Sequence, residues 1–73
     1  MFTFIFDETA GEYTLWFDGL EFALGKLREI EPGLWECCPY WLSRFRFGFQ
    51  YKRIAASTKE EVVKIWLESG ENI

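Results

Sequence analysis

The 73-residue chain has no histidine, and its only cysteines, Cys37 and Cys38, are neighbours. Without histidine the usual general base near neutral pH is missing. A zinc site would need roughly four ligands and finds a single thiol pair. Adjacent cysteines rarely bridge, because the ring strains the peptide between them. Both are therefore expected as reduced thiols, one in the core and one facing out. No linker, internal repeat or low-complexity tract interrupts the chain, so residues 1–73 are read as one compact domain. No apolar run reaches membrane-spanning length. The opening Met1-Phe2-Thr3-Phe4-Ile5-Phe6 meets Asp7 without a basic leader. A cytoplasmic protein with no membrane partner, metal or cofactor is expected.

Acid is also missing from one long stretch. Residues 37–57 hold four bases, Arg44, Arg46, Lys52 and Arg53, and no acid. Residues 1–36 hold eight acids, among them Asp7, Glu8, Glu12, Glu29, Glu31 and Glu36, against two bases. The net charge of -4 thus averages acidic ends and a basic middle. Aromatic residues are plentiful at 21%, and each brings a large apolar area to burial, which a chain this short needs.

Phe2, Phe4 and Phe6 alternate with Thr3 and Ile5 as a first strand with an aromatic core face. Asp7-Glu8-Thr9-Ala10-Gly11 reads as a hairpin loop, and Tyr13, Leu15 and Phe17 continue as a second strand. Asp18 and Glu21 form a capping-box pattern before Leu20, Ala23, Leu24, Leu27 and Ile30, which predicts a helix closed by Pro32-Gly33. Gly25 inside that helix would let it approach the sheet closely. Leu34 to Cys37 is a short strand, and Cys38-Pro39 turns the chain into a long one. There Phe45, Phe47, Phe49 and Tyr51 share one face and Arg44, Arg46, Gly48, Gln50 and Lys52 the other. Gly48 marks a bulge or bend.

Ser57 or Thr58 caps a closing helix with Val62, Ile65, Trp66 and Ser69 on one stripe, flanked by Val63 and Leu67, and Gly70 at its end. The order β-β-α-β-β-α predicts an α+β fold: an antiparallel sheet of about four strands with two helices packed on one face.

Three surfaces are candidates for function. The acidic residues Asp7, Glu8, Glu12, Glu29, Glu31 and Glu36 would present negative charge to a basic cleft. On the basic strand Arg44, Arg46, Gln50, Lys52 and Arg53 would face out and its rings would be buried against the helices. Fifteen aromatics exceed what a small core can hide, so Trp16, Trp35, Tyr40 and Trp41 are candidate exposed anchors. Catalysis finds little support. A nucleophilic Cys37 or Cys38 would need Glu36 or a lysine as base, and the carboxylate pairs Asp7-Glu8 and Glu60-Glu61 fall in a turn and a helix cap.

The expected function is non-enzymatic binding of a macromolecule, a protein complex and possibly a nucleic-acid-handling host machine. Direct nucleic-acid binding by the basic strand is the alternative, and a homodimer formed by a strand edge or exposed rings is a third.

Two stretches carry resemblances. Arg46-Phe47-Gly48-Phe49 is similar to the aromatic strand of RNA-recognition modules, with Phe47 where that motif has glycine. Ala55 to Trp66, with Thr58-Lys59-Glu60-Glu61 leading to Trp66, resembles the closing helix of small phage restriction-alleviation proteins. In that family a zinc ribbon precedes the helix; here only Cys37-Cys38 occupy the region, and zinc binding is not carried over. In size and composition the chain is similar to phage accessory proteins such as anti-CRISPR inhibitors, which implies a phage-type inhibitor.

Overall fold

The computed structural model describes residues 1–70, with the side chains of Ser69 and Gly70 outside the description. Five strands, β1 (Phe2–Asp7), β2 (Glu12–Phe17), β3 (Gly25–Glu31), β4 (Leu34–Pro39) and β5 (Lys52–Ala55), form one antiparallel sheet in the order β1-β2-β3-β4-β5. Helix α1 (Trp41–Phe47) lies between β4 and β5, and α2 (Lys59–Gly70) closes the fold. The α+β class, the antiparallel sheet and the number of helices are as expected; the sheet has five strands rather than four, the order is β-β-β-β-α-β-α, and only α2 is one of the two helices predicted. No helix among the described residues is long and apolar enough to cross a membrane.

The first hairpin forms where alternation placed it, in an unbroken register from Phe2 opposite Phe17 to Asp7 opposite Glu12. Asp7 Oδ1 accepts the backbone N–H groups of Thr9 and Ala10 at 3.0 and 3.3 Å and shapes the loop. This is the local side-chain turn for which aspartate is suited.

The predicted helix from Asp18 to Ile30 does not form. Residues 18–24 turn, and β3 follows, with Leu27 opposite both Tyr13 and Cys37. The apolar positions fit a helical stripe, but Lys26-Leu27-Arg28 also fits a period of two. Pairing decides between them: as a strand this segment bonds to β2 on one side and β4 on the other, whereas a helix would leave both edges open. Lys26 and Arg28 then reach Glu12 and Glu36 on the neighbouring strands at 3.2 and 3.1 Å. Pro32-Gly33 is the β3–β4 turn, and Gly33 N–H donates to Glu29 Oε2 at 2.9 Å.

The long basic strand is likewise absent. Pro39 ends β4 instead of interrupting it, and the chain from Trp41 to Phe47 is helical. Gly48, at φ 73°, takes the left-handed C-cap position and donates its N–H to Arg44 O. It is a helix stop rather than a bulge, a role that glycine fills without Cβ strain.

Helix α2 begins as expected, and the cap is Thr58, whose Oγ1 accepts the Glu61 N–H at 3.2 Å. Its buried side is Val62, Val63 and Trp66 against Leu15, Leu24, Leu27, Trp35, Cys37, Phe49 and Ile54. Ile65, expected on this stripe, is exposed, so the helix is rotated toward Val63; Ser69 lies outside the described side chains. Full burial of each large apolar side chain is worth about 1.5–3 kcal/mol.

Both buried indoles find carbonyls beside β5, Trp35 Nε1 donating to Ala56 O at 3.2 Å and Trp66 Nε1 to Gln50 O at 2.8 Å. Gly25 does allow a close approach, but from its place on the sheet: a Cβ there would lie 3.0 Å from the Trp66 ring and 2.5 Å from Cys38 O. Helix α1 contributes Ser43 as its buried residue and is not packed on the sheet as α2 is.

Candidate functional site

Helix α1 carries the most exposed large hydrophobic side chains of the described fold after Met1. Trp41 and Phe45 are 70% and 75% exposed. Their i, i+4 spacing puts them on one face, and their rings stack with centroids 5.3 Å apart and planes 15° apart. Trp41 forms a ridge between two shallow grooves. One, of about 530 Å³, is lined by Arg44, Phe45, Gly48, Phe49 and Gln50 as well as Trp41. The other, of about 430 Å³, lies over Trp16, Phe22, Tyr40 and Leu42.

Arg44 and Arg46 extend from the last turn, where the helix dipole favours positive charge. Among the described residues neither forms an ion pair. The surface therefore joins unshielded aromatic area to uncommitted guanidinium groups.

The one buried residue of α1 is a serine. Ser43 is fully buried and its hydroxyl has no hydrogen-bond partner. Phe47 contacts Phe22 and Phe49 at centroid distances of 6.5 and 6.2 Å, so the C-terminal end of α1 is fastened by a short aromatic row.

Residues expected on one basic strand are thus divided. Arg44 and Arg46 lie on α1, Gln50 in the following loop, and Lys52 and Arg53 on β5. Their rings are divided too: Phe49 is buried, but Phe45, Phe47 and Tyr51 are exposed, against the expectation that all four would enter the core. The alternation of aromatics with bases hid a second period, Trp41 to Phe45, bracketed by Pro39 and Gly48. Those two punctuators were the signal for a short helix.

Of the four candidate anchors, Trp41 is exposed, Trp16 and Tyr40 are half-buried, and Trp35 is buried. Trp35 points to the helix-bearing face, opposite Ile54, and cannot serve as a surface anchor.

Most of the acidic candidates are engaged within the fold. Asp7 holds the first turn, Glu29 the β3–β4 turn, and Glu12 pairs with Lys26. Glu36 accepts from Arg28 and from the Tyr51 hydroxyl, and Arg53 Nε donates to that same hydroxyl at 3.3 Å. This row crosses the sheet face opposite α2. The Tyr51 hydrogen bond, with further help from Arg28, holds the Glu36 carboxyl below its ordinary value. Glu8 and Glu31 are exposed.

The thiols are poor nucleophiles. Burial pushes Cys37 up to about 12, and burial with the nearby Glu36 charge raises Cys38 as well, so both stay protonated at neutral pH. Among the described residues no three of histidine, cysteine, aspartate and glutamate gather as metal ligands.

In comparisons with protein-family models, curated proteins and solved structures, nothing matches this chain.

Proposed function

We propose that this protein is a non-enzymatic binding module that docks through α1 onto a partner protein presenting an apolar groove with an acidic rim. The observation that carries this reading is the stacked Trp41–Phe45 pair, 70% and 75% exposed, with Arg44 in the same groove and Arg46 farther round the helix beside Leu42. A monomer gains nothing by leaving such rings in water, and tryptophan with arginine is the combination enriched at binding hot spots. Two turns of helix with anchors at i and i+4 fit the helix-in-groove mode of recognition. A phage-type inhibitor that occupies a nucleic-acid-handling host complex is the finer form of the proposal. It requires the captured partner to belong to such a complex.

Capture from a host lysate by wild-type protein and by Trp41→Ala/Phe45→Ala, run side by side, tests the proposal. The expected result is a partner retained by the wild type and lost by the variant, a weakening of about 30-fold for a hot spot of about 2 kcal/mol. Equal retention by both proteins rejects α1 as the docking surface.

One observation favours a second reading, direct binding of single-stranded nucleic acid: the same rings could stack on bases while Arg44 and Arg46 meet phosphates. The net charge of -4 works against a polyanion at long range. Salt-dependent binding that falls on Arg44→Gln/Arg46→Gln would establish it over the protein-partner reading.

A further inference from the structure

The two edges of the sheet are built differently. The β5 edge is four residues long and carries Lys52 and Arg53, the kind of basic side chain that discourages another strand from pairing. The β1 edge is six residues long and uncharged from Phe2 to Phe6, and its register against β2 has no bulge. Ile5 and Phe6 are 55% and 51% exposed.

Asp18 N–H donates to Met1 O, which makes Met1 and Asp18 a hydrogen-bonded pair. Bonded and non-bonded pairs alternate along an antiparallel ladder, so Thr3 and Ile5 turn their backbone groups to β2. Phe2, Phe4 and Phe6 turn theirs to the open edge.

This edge is self-complementary. Phe-Thr-Phe-Ile-Phe reads with the same alternation in both directions about Phe4. We propose that β1 pairs antiparallel with β1 of a second copy, about a two-fold axis through Phe4. Phe4 then faces Phe4 and Phe2 faces Phe6 of the other copy as hydrogen-bonded pairs, using the outward backbone groups, while Thr3 faces Ile5 as non-bonded pairs.

Phe6 of the opposed copy projects on the helix-bearing face. There a groove of about 440 Å³ between β1 and α2, with Phe2, Phe4, Val63 and Leu67 as its apolar wall and Glu60 and Lys64 completing its lining, receives its ring. The interface is isologous and closed, and it joins two five-stranded sheets into one. Helix α1 takes no part in this pairing, so it stands or falls separately from the docking reading.

Light scattering over a concentration series reads the pairing directly. The apparent mass rises from 8.7 kDa toward twice that value in the wild type. In Phe6→Lys, which charges the edge, and Phe6→Pro, which removes an outward N–H, it stays at the single-chain mass with an unchanged far-UV spectrum.

Register is read by cross-linking. Non-bonded antiparallel partners lie about 4.5 Å apart between Cα atoms, within disulfide reach. Under mild oxidation Thr3→Cys/Ile5→Cys is expected to give a covalent dimer, and Thr3→Cys alone is not. A single-chain mass at every concentration overturns the proposal. So does a dimer that survives both Phe6 substitutions, or one that cross-links as readily with Thr3→Cys alone.

Discussion

Helix α2 buries Trp66 to 1% exposure, whereas α1 leaves Trp41 70% exposed, although both helices draw on the same stock of aromatic side chains. Geometry separates them. The α2 side chains Val62, Val63 and Trp66 fall on one side and meet the continuous apolar face of the sheet. By contrast, α1 turns Ser43 inward and spends its i, i+4 pair on a ring stack that faces water. A tryptophan is a core residue or an anchor according to the face that topology leaves for it, and aromatic content does not decide which.

The contrast breaks if the two tryptophans respond alike to truncation. Trp66→Ala is expected to cost about 3–5 kcal/mol, a large share of what so small a domain holds, read as a lower urea midpoint. Gly25→Ala tests the close approach beneath the same ring. Its Cβ would meet the Cys38 carbonyl at 2.5 Å, and overpacking of this kind costs about 1–3 kcal/mol.

Ser43→Ala sharpens the other side of the contrast. Removing a buried hydroxyl with no partner is expected to raise stability by about 1 kcal/mol, seen as a higher urea midpoint. A loss instead would mean that Ser43 helps to hold α1. Trp41→Ala is expected to shift stability by no more than about 0.5 kcal/mol, while partner capture is lost. An unfolding midpoint lowered as far as in Trp66→Ala would return Trp41 to the core.

The smallest effect is electrostatic. Tyr51→Phe deletes the main cause of the lowered Glu36 value, and a pH titration followed by NMR is expected to show the carboxyl moving up toward its ordinary 4.5. In the wild type this depressed carboxyl contributes stability that is fully present above about pH 4.5. That contribution fades as pH falls through the lower folded value. In Tyr51→Phe the contribution is smaller, and its loss is complete at a higher pH because the folded value lies closer to 4.5.

Elements whose local and tertiary preferences agree could be read directly. The Phe2-Phe4-Phe6 alternation and the Asp7 turn suffice for the first hairpin, and Thr58 with Glu61 suffices for the start of α2. The middle of the chain misled because two periods coexist there. Leu24 and Leu27 are buried in either conformation, so their apolar character did not distinguish a helix from β3. From Trp41 to Phe49, every second residue after Leu42 is aromatic or serine, which mimics a strand. The same ambiguity runs through the candidate site: charge and ring type mark Arg44, Arg46 and Trp41, whereas a strand period places Phe45 in the core.

Residue order alone determined the α+β class, the antiparallel pairing at the start, the closing helix and the charge segregation, because each follows from contacts within a few residues or from composition. Tertiary structure decided that residues 25–31 pair as a strand, that Trp35 is buried and Trp41 is not, and that β1 is left as an open edge. Those outcomes depend on which backbone groups and apolar faces remain unsatisfied once the other elements are in place, and no local window contains that information.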